Sequence, residues 1–338
     1  MSDSRRAISL RISVTDRCPL SCAYCRPSGT ERAPRADVLR FEEIVRFVRV
    51  LKSCVGLSRV RLTGGEPLLR RRLVRLVALL SNEGVPDLSL TTNGQHLARY
   101  ASSLRRSGLR RVNVSLDSLD PETYRALTGG ARLERTLSGI DAALQCGLTP
   151  IKLNMVVLRN VNDHEIVRMA RFGLERGIHV RFLEVMPIGA AAWPSRLGWE
   201  FRAQPRAAVP PFDEWFVSSA DVARELESAF DLHALSVVPG ATSRDFLVRD
   251  GEGRRGVIGL ISPCSRPFCG TCRRLRLTAS GRLLGCLARR EGIDVRPILR
   301  GPERLRRARL AEAVETLLAL KRHPRRFVDQ RLMVSIGG

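Results

Sequence analysis

Two groups of cysteines set out the chemistry open to this sequence. Cys18, Cys22 and Cys25 follow C-x3-C-x2-C spacing, and Cys269, Cys272 and Cys286 follow C-x2-C-x13-C. Three closely spaced thiolates can hold three corners of an iron–sulfur cube and leave the fourth iron open to another ligand. A structural zinc would ordinarily recruit a fourth Cys or His, and no histidine precedes His96. For the second group a zinc site completed by Cys264 stands as the alternative, because a C-x2-C pair also serves zinc ribbons and redox dithiols. Arg273, Arg274 and Arg276 sit beside that pair. Cationic neighbours lower thiol pKa and would hold an anionic ligand next to a metal. Cys54 and Cys146 fall in helical patterns and read as small buried apolar residues.

Other polar residues recur at fixed places in the chain. Gly64-Gly65-Glu66-Pro67, Asn93-Gly94 and Asp117-Ser118 each follow a short apolar run, and the first cysteine group follows another. The runs at 10–15, 60–63, 88–92, 112–115, 151–157 and 180–186 read as strands. Between them, stretches at 41–53, 71–82, 99–107, 121–127, 136–146 and 165–176 carry helical patterns. In the first of these, Ile44, Phe47, Val48 and Leu51 share one face. A repeated strand–helix order predicts a parallel sheet, either a partial barrel or a doubly wound sheet. In both, the site lies at the C-terminal ends of the strands, where the polar residues fall.

Residues 189–216 lose this periodicity and read as a long irregular loop or insertion. Beyond it, 219–230 is expected to be helical with Ser219 as N-cap, 257–261 a strand leading to the second cysteine group, and 303–321 an Arg-rich helix.

The formal charge of +23 comes from 57 Lys and Arg against 34 Asp and Glu, and only Lys52, Lys152 and Lys321 are lysines. Such a balance attracts phosphate. Aromatic residues make up 5%, too few to supply stacking platforms for single strands, and the cations form no basic tail. A small polyanionic ligand is therefore expected rather than nucleic acid. No run approaches the roughly 20 apolar residues that span a bilayer, and the N-terminal residues form no apolar leader. The chain is expected to be cytoplasmic, where thiols stay reduced, and its nine cysteines are not read as a disulfide framework.

The first cysteine group, with Leu10-Arg11-Ile12-Ser13-Val14-Thr15-Asp16-Arg17 before it, resembles the radical S-adenosylmethionine (SAM) superfamily, and within it the GTP 3′,8-cyclase (MoaA) family. The resemblance continues through Arg61-Leu62-Thr63-Gly64-Gly65-Glu66-Pro67, Thr91-Thr92-Asn93-Gly94, Asn113-Val114-Ser115-Leu116-Asp117-Ser118 and Lys152-Leu153-Asn154. It takes in Arg181 to Met186, the segment from Phe268 to Thr278, Cys286-Leu287 and the terminal Gly337-Gly338. Nearly the whole chain is covered.

The family implies a partial (β/α)6 barrel of TIM type, here residues 1–218, and a C-terminal region, 219–338, that closes the barrel and carries a second cluster. It implies two [4Fe-4S] clusters, on Cys18, Cys22 and Cys25 and on Cys269, Cys272 and Cys286. SAM bound to the first would yield a 5′-deoxyadenosyl radical that takes H3′ from GTP, after which C3′ bonds to C8 at the start of molybdenum-cofactor biosynthesis. The resemblance places Tyr24, Gly65, Ser115 and Met186 around SAM. It places Arg11, Arg61, Thr91, Lys152, Arg274 and Arg276 around GTP, with Arg181 near the phosphates and the Gly-Gly tail entering the site. Partners implied are GTP, a reductant protein and cyclic pyranopterin monophosphate synthase acting on the product. Neither nucleic acid nor membrane is expected, and a homodimer is compatible with the family. Another radical SAM enzyme with a C-terminal cluster, of the peptide maturase type, is the alternative. Arg59 stands where the family commonly has lysine, and Ala288-Arg289-Arg290 follows Cys286-Leu287 where it usually has an aromatic and acids.

Overall fold

The computed structural model describes residues 7–25, 34, 37–188, 212–238, 240–289 and 291–321. Residues 189–211 of the irregular segment and the terminal Gly337-Gly338 lie outside the described residues.

The first half of the chain alternates as its periodicity predicts. In order come β1 (Ile8–Ser13), α1 (Phe41–Val55), β2 (Leu57–Thr63), α2 (Leu73–Asn82), β3 (Leu88–Thr92), α3 (Leu97–Arg106), β4 (Arg111–Ser115), α4 (Pro121–Thr128), α5 (Leu133–Gln145), β5 (Lys152–Val157), α6 (Ile166–Glu175) and β6 (His179–Glu184). These strands pair in parallel in chain order. After them come α7 (Phe212–Trp215), α8 (Ser219–Glu227), β7 (Asp231–Ala234), β8 (Arg244–Arg249), β9 (Arg255–Ile261), β10 (Arg274–Leu277), β11 (Arg282–Leu284), β12 (Gly292–Asp294), α9 (Arg296–Arg300) and α10 (Glu303–Leu320).

The sheet order is β12-β11-β10-β1-β2-β3-β4-β5-β6-β9-β8-β7. Later strands thus extend the repeated units at both edges: β10 pairs with β1 and β9 with β6, both in parallel. Side chains of β1–β6 and β8–β10 line one cavity, so the sheet is curled, and β12 and β7 end it unpaired with each other. That is an incomplete barrel, and it rules out the doubly wound alternative.

Alternation along the strands divides the two faces. In β1, Ile8, Leu10 and Ile12 are fully buried, whereas Ser9 and Arg11 line the cavity. In β2, Val60 and Leu62 are buried while Arg59 and Arg61 line the cavity. The outward residues meet the helices, as where Ile44, Phe47, Val48 and Leu51 of α1 are all buried. Burial of each such side chain contributes roughly 1.5–3 kcal/mol. The core is therefore a shell between sheet and helices, and the barrel interior is left polar.

Two local expectations need correction. Ser218, not Ser219, caps α8: its Oγ accepts from Asp221 N at 3.1 Å while the Asp221 carboxylate accepts from Ser218 N. Serine one residue earlier reaches the third helical N–H, which defines the cap. The end of the expected irregular stretch also folds, since Phe212–Trp215 forms a helical turn and Phe216 bridges to Leu158. Phe212 and Phe216 pack at 5.3 Å, four residues apart, which explains the turn in physical terms. Among the described residues, no helix is long and apolar enough to cross a membrane.

Candidate active site

The cavity enclosed by the barrel has a volume of about 1430 Å³. Cys18, Cys22 and Cys25 line one part of it, and Cys269 and Cys272 another. The loop carrying the first three is pinned on two sides. Ser21 and Ala23 donate backbone N–H groups to the carbonyls of Thr128 and Leu127, which ties the loop to the end of α4. Gly65 N and Glu66 N donate to Thr15 and Arg17 carbonyls, each at 2.7 Å.

That second tie explains the paired glycines. A Cβ on Gly64 would stand 2.4 Å from the Thr15 carbonyl oxygen, and one on Gly65 would stand 2.4 Å from that of Arg17. No side chain fits there, so the glycines are required by the approach of the cysteine loop's own backbone. Glu66 then holds the next loop in place. Fully buried, it accepts from Leu68 N, Thr92 Oγ1 and Asn93 N at 2.8–2.9 Å. Burial pushes its carboxyl up to about 7 despite these donors.

Tyr24 OH donates to Asp117 Oδ2 at 2.7 Å, and Asp117 Oδ1 accepts from Val156 N at 2.8 Å. Burial pushes Asp117 up to about 6. Tyr24, Gly65, Ser115 and Met186 all line the cavity. The sequence reading passed over Glu66 and Asp117 as positioning groups. A carboxylate at a strand end inside an otherwise neutral motif was the available signal.

On another wall, three arginines stand side by side. Arg11 of β1 pairs in register with Arg61 of β2 and Arg276 of β10. Burial, then mutual repulsion with Arg276, Arg274 and Arg61, holds Arg11 well below the ordinary arginine range. Burial first, with neighbouring arginines, brings Arg61 and Arg276 to about 9. Guanidinium keeps its proton throughout, so the displacement expresses the cost of concentrating positive charge, which a bound polyanion would offset. Among the described residues, four that line the cavity each carry a buried side-chain atom without a hydrogen-bond partner: Arg61 Nε, Asn154 Oδ1, Ser243 Oγ and Asp245 Oδ1.

Arg11, Arg61, Thr91, Arg274 and Arg276 line the cavity, as does Arg181. Lys152 does not. It opens β5, and burial, followed by Arg181 and Arg111, lowers it to about 8. Its charge couples to that of Arg181, which lines the cavity.

In the second cysteine group, Cys269 and Cys272 flank a 3-10 turn closed by Cys272 N donating to Cys269 O at 3.2 Å. Leu287 lines the cavity, whereas its neighbour in sequence, Cys286, does not. Burial raises Cys272, but Arg274 and Lys321 outweigh it and bring the thiol down to about 7. Cys264 is engaged elsewhere. Its thiol donates to the Val185 carbonyl at 3.5 Å, and burial beside Glu184 pushes it up to about 12. Cys54, in α1, donates to Leu51 O, and Cys146 caps α5.

Among the described residues, no three Cys, His, Asp or Glu side chains close around a single metal ion. A cubane holds its thiolates further apart than one ion does, and three uncrosslinked thiols of the first group line the cavity beside the glycine loop. The donor set therefore suits a three-cysteine iron–sulfur cluster.

Family comparisons agree with this geometry. The model of the Radical SAM superfamily matches residues 12–173, and that of Molybdenum Cofactor Synthesis C matches 178–327. The structure resembles that of Streptococcus suis SuiB bound to S-adenosylmethionine, with a TM-score of 0.62 at 14% identity, covering 94% of this chain and 68% of that one. That likeness is one of fold. Barrel, cysteine loop and family model together define a radical SAM enzyme, a class whose members carry a [4Fe-4S] cluster and SAM. GTP 3′,8-cyclases of Heliobacterium modesticaldum and Moorella thermoacetica are 42% and 40% identical to this chain, each over 97% of both sequences. The chain belongs to the GTP 3′,8-cyclase family.

Proposed function

We propose that this protein cyclises GTP between C3′ and C8 inside the barrel, at the start of molybdenum-cofactor biosynthesis. The observation that carries the reading is a single cavity with cysteines of both groups in its lining and a row of three arginines on β10, β1 and β2. When bound, the first cluster and SAM supply a 5′-deoxyadenosyl radical by reductive cleavage of the sulfonium. Cys18, Cys22 and Cys25 would hold that cluster, and Tyr24, Gly65, Ser115 and Met186 would surround SAM. The chain's own work is placement and exclusion of water.

Arg11, Arg61, Arg274 and Arg276, with Thr91 and Lys152, would form the GTP set. Guanidinium forks suit triphosphate oxygens. Held there, the ribose would have H3′ turned toward that radical, and loss of this hydrogen atom, formation of the C3′–C8 bond and gain of one electron and one proton would give 3′,8-cyclo-7,8-dihydro-GTP, an isomer of GTP. Cys269, Cys272 and Cys286 would hold a second [4Fe-4S] cluster, which would offer an open iron to the guanine end.

We divide the chain into a core, 1–218, and a C-terminal region, 219–338. The pairing of β9 and β10 with opposite edges of the core sheet supports that division. A reductant protein would deliver the electrons, and cyclic pyranopterin monophosphate synthase would consume the product. A homodimer is compatible with this scheme.

The test is an anaerobic reaction of the reconstituted protein with SAM, a strong reductant and each nucleoside triphosphate in turn. Deoxyadenosine formed only with GTP, together with a product of GTP's mass, is the expected result. Deoxyadenosine without GTP conversion would overturn the substrate assignment.

A further inference from the structure

The second cysteine group has a cationic neighbour that the proposed reaction leaves without a role. Lys321 follows α10 and is 8% exposed, in a chain with only three lysines. Its Nζ donates to the Arg274 carbonyl, to the Cys272 carbonyl at 3.4 Å and to Cys272 Sγ at 3.5 Å. An ammonium has three N–H groups, so two carbonyls and one sulfur match its donors one for one. Burying a lysine is costly unless its charge is compensated, and Cys272 is the partner able to become an anion.

The placement is built into the fold. The helix α10 packs on α1 and α9, and its last turn enters the lining of the barrel cavity, where Leu318, Ala319 and Lys321 join Cys269 and Cys272. It passes so close to the Cys286 segment that a Cβ on Gly285 would stand 2.8 Å from the Leu317 carbonyl oxygen. Glycine at that position lets the helix approach and bring Lys321 to Cys272. Cys286 Sγ accepts in its turn from Ala288 N at 3.4 Å. Two sulfurs of the group thus receive N–H donors, one of them charged. Arg274 acts on the same sulfur through its charge and a side-chain hydrogen bond while its guanidinium lies over the Phe268 ring at 5.0 Å, so Lys321 is the second cation on Cys272.

We propose that Lys321 is a positioning residue for the second cluster, donating to Cys272 Sγ and favouring the cluster's electron-rich state. This rests on the reading of Cys269, Cys272 and Cys286 as cluster ligands. Hydrogen bonds and charge at ligand sulfurs raise the potential of an iron–sulfur centre, because each added electron is better stabilised. A charge-assisted hydrogen bond corresponds to a shift of about tenfold in the reduced-to-oxidised ratio at fixed potential, or 59 mV for a one-electron couple.

The experiment uses full-length protein with Cys18, Cys22 and Cys25 all changed to Ala, reconstituted with iron and sulfide, so that only the second cluster is present. Its potential is read by electron paramagnetic resonance during a reductive titration. Lys321→Met should lower the reduced-to-oxidised ratio about tenfold, while Lys321→Arg should restore most of it. A fully loaded Lys321→Met protein with an unchanged midpoint would overturn the proposal. Should Lys321→Met fail to load iron, Lys321→Gln keeps a neutral donor of similar reach, and an unchanged midpoint there overturns it equally. If the parent variant binds no iron at all, the second-cluster reading itself falls, and this inference falls with it.

Discussion

Replacing Arg61 with Met should stabilise the apoprotein and weaken its hold on a nucleoside triphosphate, two effects of opposite sign from one side chain. Arg61 pairs in register with Arg11, which pairs in turn with Arg276. Adjacent strands lie about 4.8 Å apart, and two like charges at that spacing repel by about 3 kcal/mol at an effective dielectric near 20. Splaying of the guanidinium tips and water in the cavity reduce this to about 1 kcal/mol. Among the described residues Arg61 Nε also lacks a partner, so Met removes an orphaned donor while keeping the buried stem. A gain of about 1 kcal/mol raises the melting temperature of a chain this long by roughly 2 °C. Toward GTP the same change deletes a charge-assisted contact worth about 1.5–3 kcal/mol, which weakens binding roughly 10- to 150-fold. Thermal melting of the apoprotein and calorimetric titration of the reconstituted enzyme read the two effects separately. Guanosine, which carries no phosphate, should bind wild type and variant alike. A variant that melts lower and binds GTP normally would show the arginine row to be a structural network, and the electrostatic argument would be wrong.

Three further outcomes follow from the site. Cys18→Ala should abolish 5′-deoxyadenosine formation and halve the iron content from about eight to about four per chain, whereas Cys272→Ala should retain SAM cleavage but lose its dependence on GTP, as product analysis would show. Gly65→Ala places a Cβ 2.4 Å from the Arg17 carbonyl oxygen and 2.9 Å from Cys18 N, so the cysteine loop must shift; turnover should fall on the order of 100-fold with circular dichroism unchanged. Glu66 titrates near 7 in the fold against 4.5 outside it, so between those values the folded state binds more protons and stability falls as pH rises. Urea unfolding of the apoprotein should therefore show this contribution at its most favourable below pH 4.5 and lost above 7, with the slope absent in Glu66→Gln.

How much of this was legible in the sequence depends on what each segment has to bury. The six repeated strands were found to within a few residues because each carries apolar side chains toward the helices at every second position, as in Leu10 and Ile12 or Val60 and Leu62. The same alternation puts Arg11 and Arg61 on the inner face, so the cavity lining was written into the period that revealed the strands. Strands β7, β8 and β10–β12 escaped notice. They are 3–6 residues long, and even the strict alternation of Arg274-Leu275-Arg276-Leu277 spans only four residues, too few to distinguish a strand period. Their places are fixed by pairing with edges formed far earlier in the chain, a non-local condition that no window of residues contains.

The glycine motif shows the same limit at the level of one side chain. The resemblance set Gly65 beside SAM, but what the pair packs against could not be read from the residues. In the structure the space of a Cβ at Gly64 and Gly65 is taken by the Thr15 and Arg17 carbonyls. Each loop thereby fixes the next: the first cysteine group leans on Gly65 and Glu66, and Glu66 holds Thr92 and Asn93. Asn93 Nδ2 comes back to 4.0 Å from Cys18 Sγ, beyond a strong hydrogen bond but close enough to make the three loops mutually dependent. A chain of contacts that returns to its starting cysteine gives the loops one joint geometry, and substitutions at Gly65 and Glu66 should therefore be non-additive in their effect on the first cluster. A double-mutant cycle on iron retention measures this directly. Additive losses would mean that the loops are held independently and that the shared geometry argued from these contacts does not exist.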